Sequence, residues 1–164
     1  MSSNHAVQYD GDFAGDHGVA NTARKPALGP QSFTTFWQEY YSRMDRKLEA
    51  EINPLLKEFT QYPVGWDSYT APPLREDTKR FALQLLNEIL RPETPLPQVI
   101  PSSVGGVQFE WHEKDVDLEL HVTAPFEITV WFYDHLDTHT EPASFDVTNN
   151  FAFLKGPIDL LTSR

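Results

Sequence analysis

The chain has 164 residues, 13% of them aromatic, enough for one compact domain with a real core. Its 24 Asp and Glu stand against 13 Lys and Arg, a formal net charge of -11, which argues against a phosphate-backbone ligand, because such binding needs clustered cations to displace counterions. There is no cysteine, so disulfides, thiolate zinc sites and cysteine nucleophiles are excluded.

Residues 1–30 read as a flexible arm. Ser, Asn, Asp, Gly and Ala dominate there and four of the eight glycines fall in it, so it cannot bury enough apolar surface to offset the entropy of ordering. Tyr9 and Phe13 are its two candidate anchors to a partner. No basic segment followed by an apolar one opens the chain, and no run approaches the roughly 18 apolar residues of a membrane span. The expectation by exclusion is a cytoplasmic protein.

Residues 31–164 read as a single α+β domain. Phe33, Phe36, Trp37, Tyr40, Tyr41, Met44, Leu48 and Ile52 recur at helical steps. Pro54 ends or kinks that helix near Ile52, with Leu55, Leu56 and Phe59 continuing it. Tyr62 to Pro73 is a loop carrying three large aromatics, a packed cover over a core rather than a spacer. Asp67 is placed to accept backbone amides in it. A second helix spans about 75–90, with Phe81, Ala82, Leu85, Leu86, Ile89 and Leu90 on its apolar face. A stiff connector with three prolines follows it.

Then the period changes to two. Gln98 to Ile100 is a brief edge strand between prolines. Val107, Phe109 and Trp111 point inward from the next strand, Val116, Leu118, Leu120 and Val122 from the one after, and Phe126, Ile128, Val130 and Phe132 from a third. His112 to Lys114 and Thr123 to Pro125 are the expected turns, giving an antiparallel meander of three to five strands with the two helices over one face. Asp134 to Asn150 reads as a long loop, Phe151 to Leu154 as a last strand, and Ile158 to Leu161 as no more than a turn of helix.

The outward face collects the chemistry. Glu110, Asp117, Glu119, His121 and Glu127 lie on it, with Trp131 and Tyr133 beside them. Half the positions of a one-sided sheet meet water, so charge there is ordinary. The two aromatics are what suggest binding, since such side chains are enriched where interfaces are buried. Glu110, Glu119, His121, Trp131 and Tyr133 are therefore the candidate binding residues. His135 and His139 have the four-residue step of helical metal ligands but lie in a loop without the accompanying glutamate. They read as surface histidines, and neither a metal nor a cofactor is expected. There is no Gly-x-Ser-x-Gly elbow, no Walker lysine after Gly105-Gly106 and no dinucleotide fingerprint.

Gly65-Trp66-Asp67-Ser68-Tyr69-Thr70-Ala71-Pro72-Pro73, taken with Pro101-Ser102-Ser103-Val104-Gly105-Gly106-Val107-Gln108-Phe109-Glu110-Trp111, resembles a group of small uncharacterised bacterial proteins. Those proteins carry a GWDxYxAxP loop and a GGVQxEW strand. The resemblance covers about residues 62 to 122, departs at Thr70 and Leu74, and implies a bacterial or phage origin without implying an activity. Its physical reading is that Trp66 and Tyr69 pack beside Phe109 and Trp111, joining loop to strand, with Asp67 holding the loop.

The functional expectation is a non-enzymatic protein-interaction module, antitoxin- or immunity-like, whose acidic sheet face covers a basic partner. The alternatives are a metal-dependent or acid–base hydrolase using Glu110, Glu119 and His121, and a homo-oligomer formed through the sheet.

Overall fold

The computed structural model describes residues 38–39, 42–137, 143–147 and 151–164. The arm over 1–30 with Tyr9 and Phe13, the aromatic residues Phe33, Phe36, Trp37, Tyr40 and Tyr41, and His139 lie outside the described residues.

The first helical segment shows how Pro54 is accommodated. Residues 42–47 are α-helical, the coil then widens into a π-turn at Leu48–Ile52, and helix α1 resumes over Asn53–Phe59. The Asn53 amide reaches back to the Leu48 carbonyl, five residues away, and Pro54 falls in the first turn of α1. A proline in that first turn forfeits no hydrogen bond that the new helix needs. Met44, Leu48, Ile52, Leu56 and Phe59 nevertheless stay on one buried face. Helix α2 covers Glu76–Ile89, with Glu76 and Asp77 at the positive end of its dipole and Phe81, Ala82, Leu85 and Leu86 buried.

The sheet has five antiparallel strands in the order β1-β2-β3-β4-β5: β1 Gln98–Pro101, β2 Val107–Glu113, β3 Val116–Ala124, β4 Glu127–Asp134 and β5 Ala143–Val147. The two helices and the inward residues of β2, β3 and β4 share one core, from Leu56 and Leu86 to Phe109, Trp111, Leu118, Leu120 and Val130. This is an α+β fold with the helices preceding an open meander. Among the described residues no helix is long and apolar enough to cross a membrane.

Four local readings change. His112 and Glu113 belong to β2, because the hairpin closes in two residues: Lys114 and Asp115 both have positive φ (56° and 57°), the backbone twist that suits a tight antiparallel connection. The next turn likewise begins two residues later than expected, at Pro125 and Phe126, and Phe126 has φ 65°. Its side chain is 53% exposed, with its ring 4.9 Å from that of Phe81, rather than pointing inward from a strand. The polar stretch after β4 contains β5. Finally, Phe151 to Leu154 holds a 3-10 turn (Ala152–Leu154) instead of a strand, and it leads into a nine-residue helix, α3 (Lys155–Ser163). Pro157 sits early in α3, where its missing amide costs nothing, and it is buried with Ile158 and Leu161.

Polar contacts fasten α3 to the hairpin end of the sheet. Lys114 Nζ donates to the Leu161 carbonyl (2.7 Å), and Arg164 grips Asp134 through two bonds of 2.7 Å. The Arg164 guanidinium holds the Asp134 carboxyl below its ordinary range against the opposing effect of burial, helped by the backbone amides of Leu136 and Asp137. A carboxyl lowered by folding stabilises the fold above its unfolded value, about 3.9, and loses that contribution as pH falls through the native value. The wild-type stability advantage over Asp134→Asn, followed by urea unfolding, should be constant from neutral pH down to about pH 5 and shrink below about pH 4. An advantage that persists undiminished in acid would rule this clamp out.

Candidate functional site

Strand register decides which outward side chains meet. Glu110 on β2 stands directly opposite Glu119 on β3, and Glu119 is opposite Trp131 on β4. The neighbouring row is Gln108, His121 and Thr129; the row at the hairpin end is His112, Asp117 and Tyr133. The five candidate residues therefore share one face of three adjacent strands. They form no single cluster: Glu110, Glu119 and Trp131 share one row, while His121 and Tyr133 lie in the rows to either side.

Opposed carboxylates repel, and here an amide is set between them. Gln108 Nε2 donates to Glu110 Oε1 (2.7 Å) and to Glu119 Oε2 (3.2 Å). Among the described residues no Lys or Arg pairs with either glutamate. His121 turns away from them, its Nε2 lying 2.8 Å from Ser102 Oγ. A serine and a histidine at this distance are the beginning of a nucleophile–base pair, but that chemistry needs a third group to orient the imidazole. Among the described residues no carboxylate pairs with His121.

The hairpin row carries a longer chain of contacts. His112 Nδ1 lies 2.8 Å from Asp117 Oδ1, and its Nε2 lies 3.5 Å from Glu110 Oε2. The second Asp117 oxygen is 2.7 Å from His135 Nε2, and the His135 ring stands edge-on to Tyr133 at 4.6 Å. The Asp117 hydrogen bond pushes the His112 imidazole above its ordinary value; burial opposes this and Glu110 reinforces it. Burial works to raise the Asp117 carboxyl, but the bonds from His112 and His135 outweigh it and hold the group below its ordinary value. His112, Glu113, Asp115, Val116, Asp117 and His135 line a shallow cleft of about 270 Å³. Among the described residues no group of three or more His, Asp or Glu side chains converges to hold a metal ion. A larger groove lies on the helical side, between the π-turn and α2, and none of the sheet-face residues lines it.

The Trp66 loop is built as a self-contained turn. Asp67 Oδ1 accepts from the amides of Tyr69 (2.9 Å) and Ala71 (3.1 Å), and Trp66 Nε1 donates to the Pro72 carbonyl (3.0 Å). The Trp66 ring leans on Tyr62, 5.5 Å away. Tyr69 is 84% exposed, so it does not pack beside Phe109 and Trp111; the fold of the loop around Asp67 turns it outward. Loop and strand do meet, through backbone. The Arg75 amide donates to the Gly105 carbonyl (3.2 Å), and a Cβ on Gly105 would lie 3.2 Å from both Pro72 Cγ and the Pro73 carbonyl oxygen.

Gln108, His112 and Ser102 are participants that the sequence did not single out, and His135, read as a surface histidine, joins them through Asp117. The alternation Gln108, Glu110, His112 would have placed His112 on the face had the turn been set two residues later. Ser102 and His135 are brought in by turns, for which alternation gives no signal. Compared with protein families, with curated proteins and with solved structures, the chain matches none.

Proposed function

We propose that this chain is a non-enzymatic protein-interaction module, antitoxin- or immunity-like, that docks a basic partner on the open face of its sheet. The observation that carries this reading is the Glu110–Glu119 pair, two carboxylates at directly opposed positions with only a neutral amide between them. Like charges facing each other across strands destabilise a sheet. A guanidinium or ammonium from a partner would relieve that repulsion, and half-buried Trp131, directly opposite Glu119, puts an aromatic side chain beside the pair. The net charge of -11 favours encounter with a basic surface. A cytoplasmic bacterial or phage setting accords with the resemblance of the Trp66 loop and the Gly105–Trp111 strand to small bacterial proteins. Hydrolysis through Glu110, Glu119 and His121 has weaker support, because the glutamates share Gln108 while His121 faces Ser102.

The test is calorimetric titration against a basic candidate, beginning with the product of the neighbouring gene. Replacing both Glu110 and Glu119 by Gln should weaken the complex tenfold or more, about 1.4 kcal/mol, and added salt should weaken the wild-type complex more than the variant's. A complex indifferent to the double substitution would place the interface elsewhere.

A further inference from the structure

We propose that His112 is a proton-controlled charge switch on this docking face: protonated, it offsets one of the two negative charges of the Glu110 and Asp117 carboxylates between which it sits, and deprotonated, it releases that charge to a basic partner. This rests on the docking reading and adds its regulation. The geometry carries it. Nδ1 faces Asp117 at 2.8 Å and Nε2 faces Glu110 at 3.5 Å, so both ring nitrogens look at carboxylate oxygens. A neutral imidazole has one donor and one acceptor, and would present a lone pair to one of them; only the imidazolium donates to both. The His112 side chain is 50% exposed and exchanges protons with solvent, whereas Glu110 (17%) and Asp117 (22%) are more enclosed.

The surrounding groups leave the switch to the histidine. On β2 the neighbours are Glu110 and Glu113, in the turn Asp115, and across on β3 Asp117. His135 approaches from beyond β4, on the far oxygen of Asp117, with Tyr133 behind it. Lys114, the cation nearest in sequence, is engaged with the Leu161 carbonyl on α3.

Stability and affinity then move in opposite directions with pH. Because folding raises the His112 value, its stabilising contribution is complete below the unfolded value, about 6.5, and is lost as pH rises through the higher native one. Affinity for a cationic partner rises over that same window, as the face gains a unit of negative charge. A generic histidine effect would not tie the two together at one residue.

The experiment uses hexa-arginine peptide as the probe at low salt, with titration of the wild-type His112 ring by NMR alongside. Affinity should rise about fivefold between about pH 6 and pH 9, the effect of one charge a few ångströms away in high dielectric. Its midpoint should coincide with that of the His112 ring, and thermal stability relative to His112→Gln should fall across it. Wild-type affinity that is flat with pH, or that rises equally in His112→Gln, overturns the switch while leaving the docking face standing. A probe that binds at no pH defeats the docking reading itself, and the switch with it.

Discussion

Trp111→Ala should unfold with a loss of about 3–5 kcal/mol, the range for removing a large aromatic from a closed core. Domains of this kind have about 5–15 kcal/mol of stability in total, so this one side chain accounts for a large share of it. Trp111 is 1% exposed on the inward face of β2, opposite Leu118 of β3, and belongs to the core shared with both helices. Its indole also reaches past the core, Nε1 donating to the Pro95 carbonyl at 2.8 Å, which ties the proline-rich connector after α2 to the sheet. Trp111→Phe separates the two roles: it keeps most of the apolar volume and forfeits the hydrogen bond, for an expected cost of about 1–2 kcal/mol. Urea unfolding of both variants checks the ordering. A Trp111→Ala loss under about 1 kcal/mol would mean that the side chain is not the keystone its burial implies.

The sheet was legible because its strands have one wet face. Val116, Leu118, Leu120 and Val122 alternate with Asp117, Glu119 and His121, and a register slip of one residue would bury the charges. Helix α2 was legible for the matching reason, an apolar face at helical spacing bounded by acids at one end and Pro92 at the other. Strand β5 was not, because its sequence, Ala-Ser-Phe-Asp-Val, sits amid polar residues and it is ordered by pairing with β4. Helix α3 runs beyond the single turn expected at Ile158 to Leu161, because Pro157 lies at the helix start, where a proline is compatible, and only its position distinguishes that from a stop.

The face itself was visible as a list of residues, but its wiring was not. Alternation assigns Glu110 and Glu119 to one side; it does not say that they stand opposite each other, which depends on the two-residue turn at Lys114-Asp115. With the turn one residue longer, Glu110 would face a different residue of β3. A turn placed at His112 takes that residue off the face, and with it the imidazole that lies between Glu110 and Asp117. Tyr69 failed differently. Its exposure follows from the Asp67 hydrogen bonds, local geometry that makes an aromatic loop rigid without burying every ring.

Gly106→Ala should cost about 3 kcal/mol, the upper end of the range for forcing atoms into a closed space, and more than Gly105→Ala. The two glycines are adjacent yet constrained differently. Gly105 has φ +78°, a conformation that costs an L-residue about 1–2 kcal/mol, and its added methyl would meet Pro72 and Pro73 at 3.2 Å, a contact the loop can ease. The backbone of Gly106 carries no such demand. Its methyl would instead lie 2.3 Å from the Val122 carbonyl oxygen and 3.1 Å from Thr123 Cα. These are main-chain atoms of the central strand, so relief requires β2 to part from β3 where their pairing begins. That pairing sets Gln108 between Glu110 and Glu119, and the Gly106 carbonyl accepts the Ser102 amide (3.0 Å) that seats Ser102 against His121. Gly106→Ala should therefore shift the amide resonances of Gln108, Glu110 and His121 in the folded fraction and weaken capture of a basic partner, effects that Gly105→Ala leaves small. Urea unfolding gives the energies and amide NMR gives the location. If Gly105→Ala proved the costlier change, the second glycine would owe its place to something other than the close approach of the two strands.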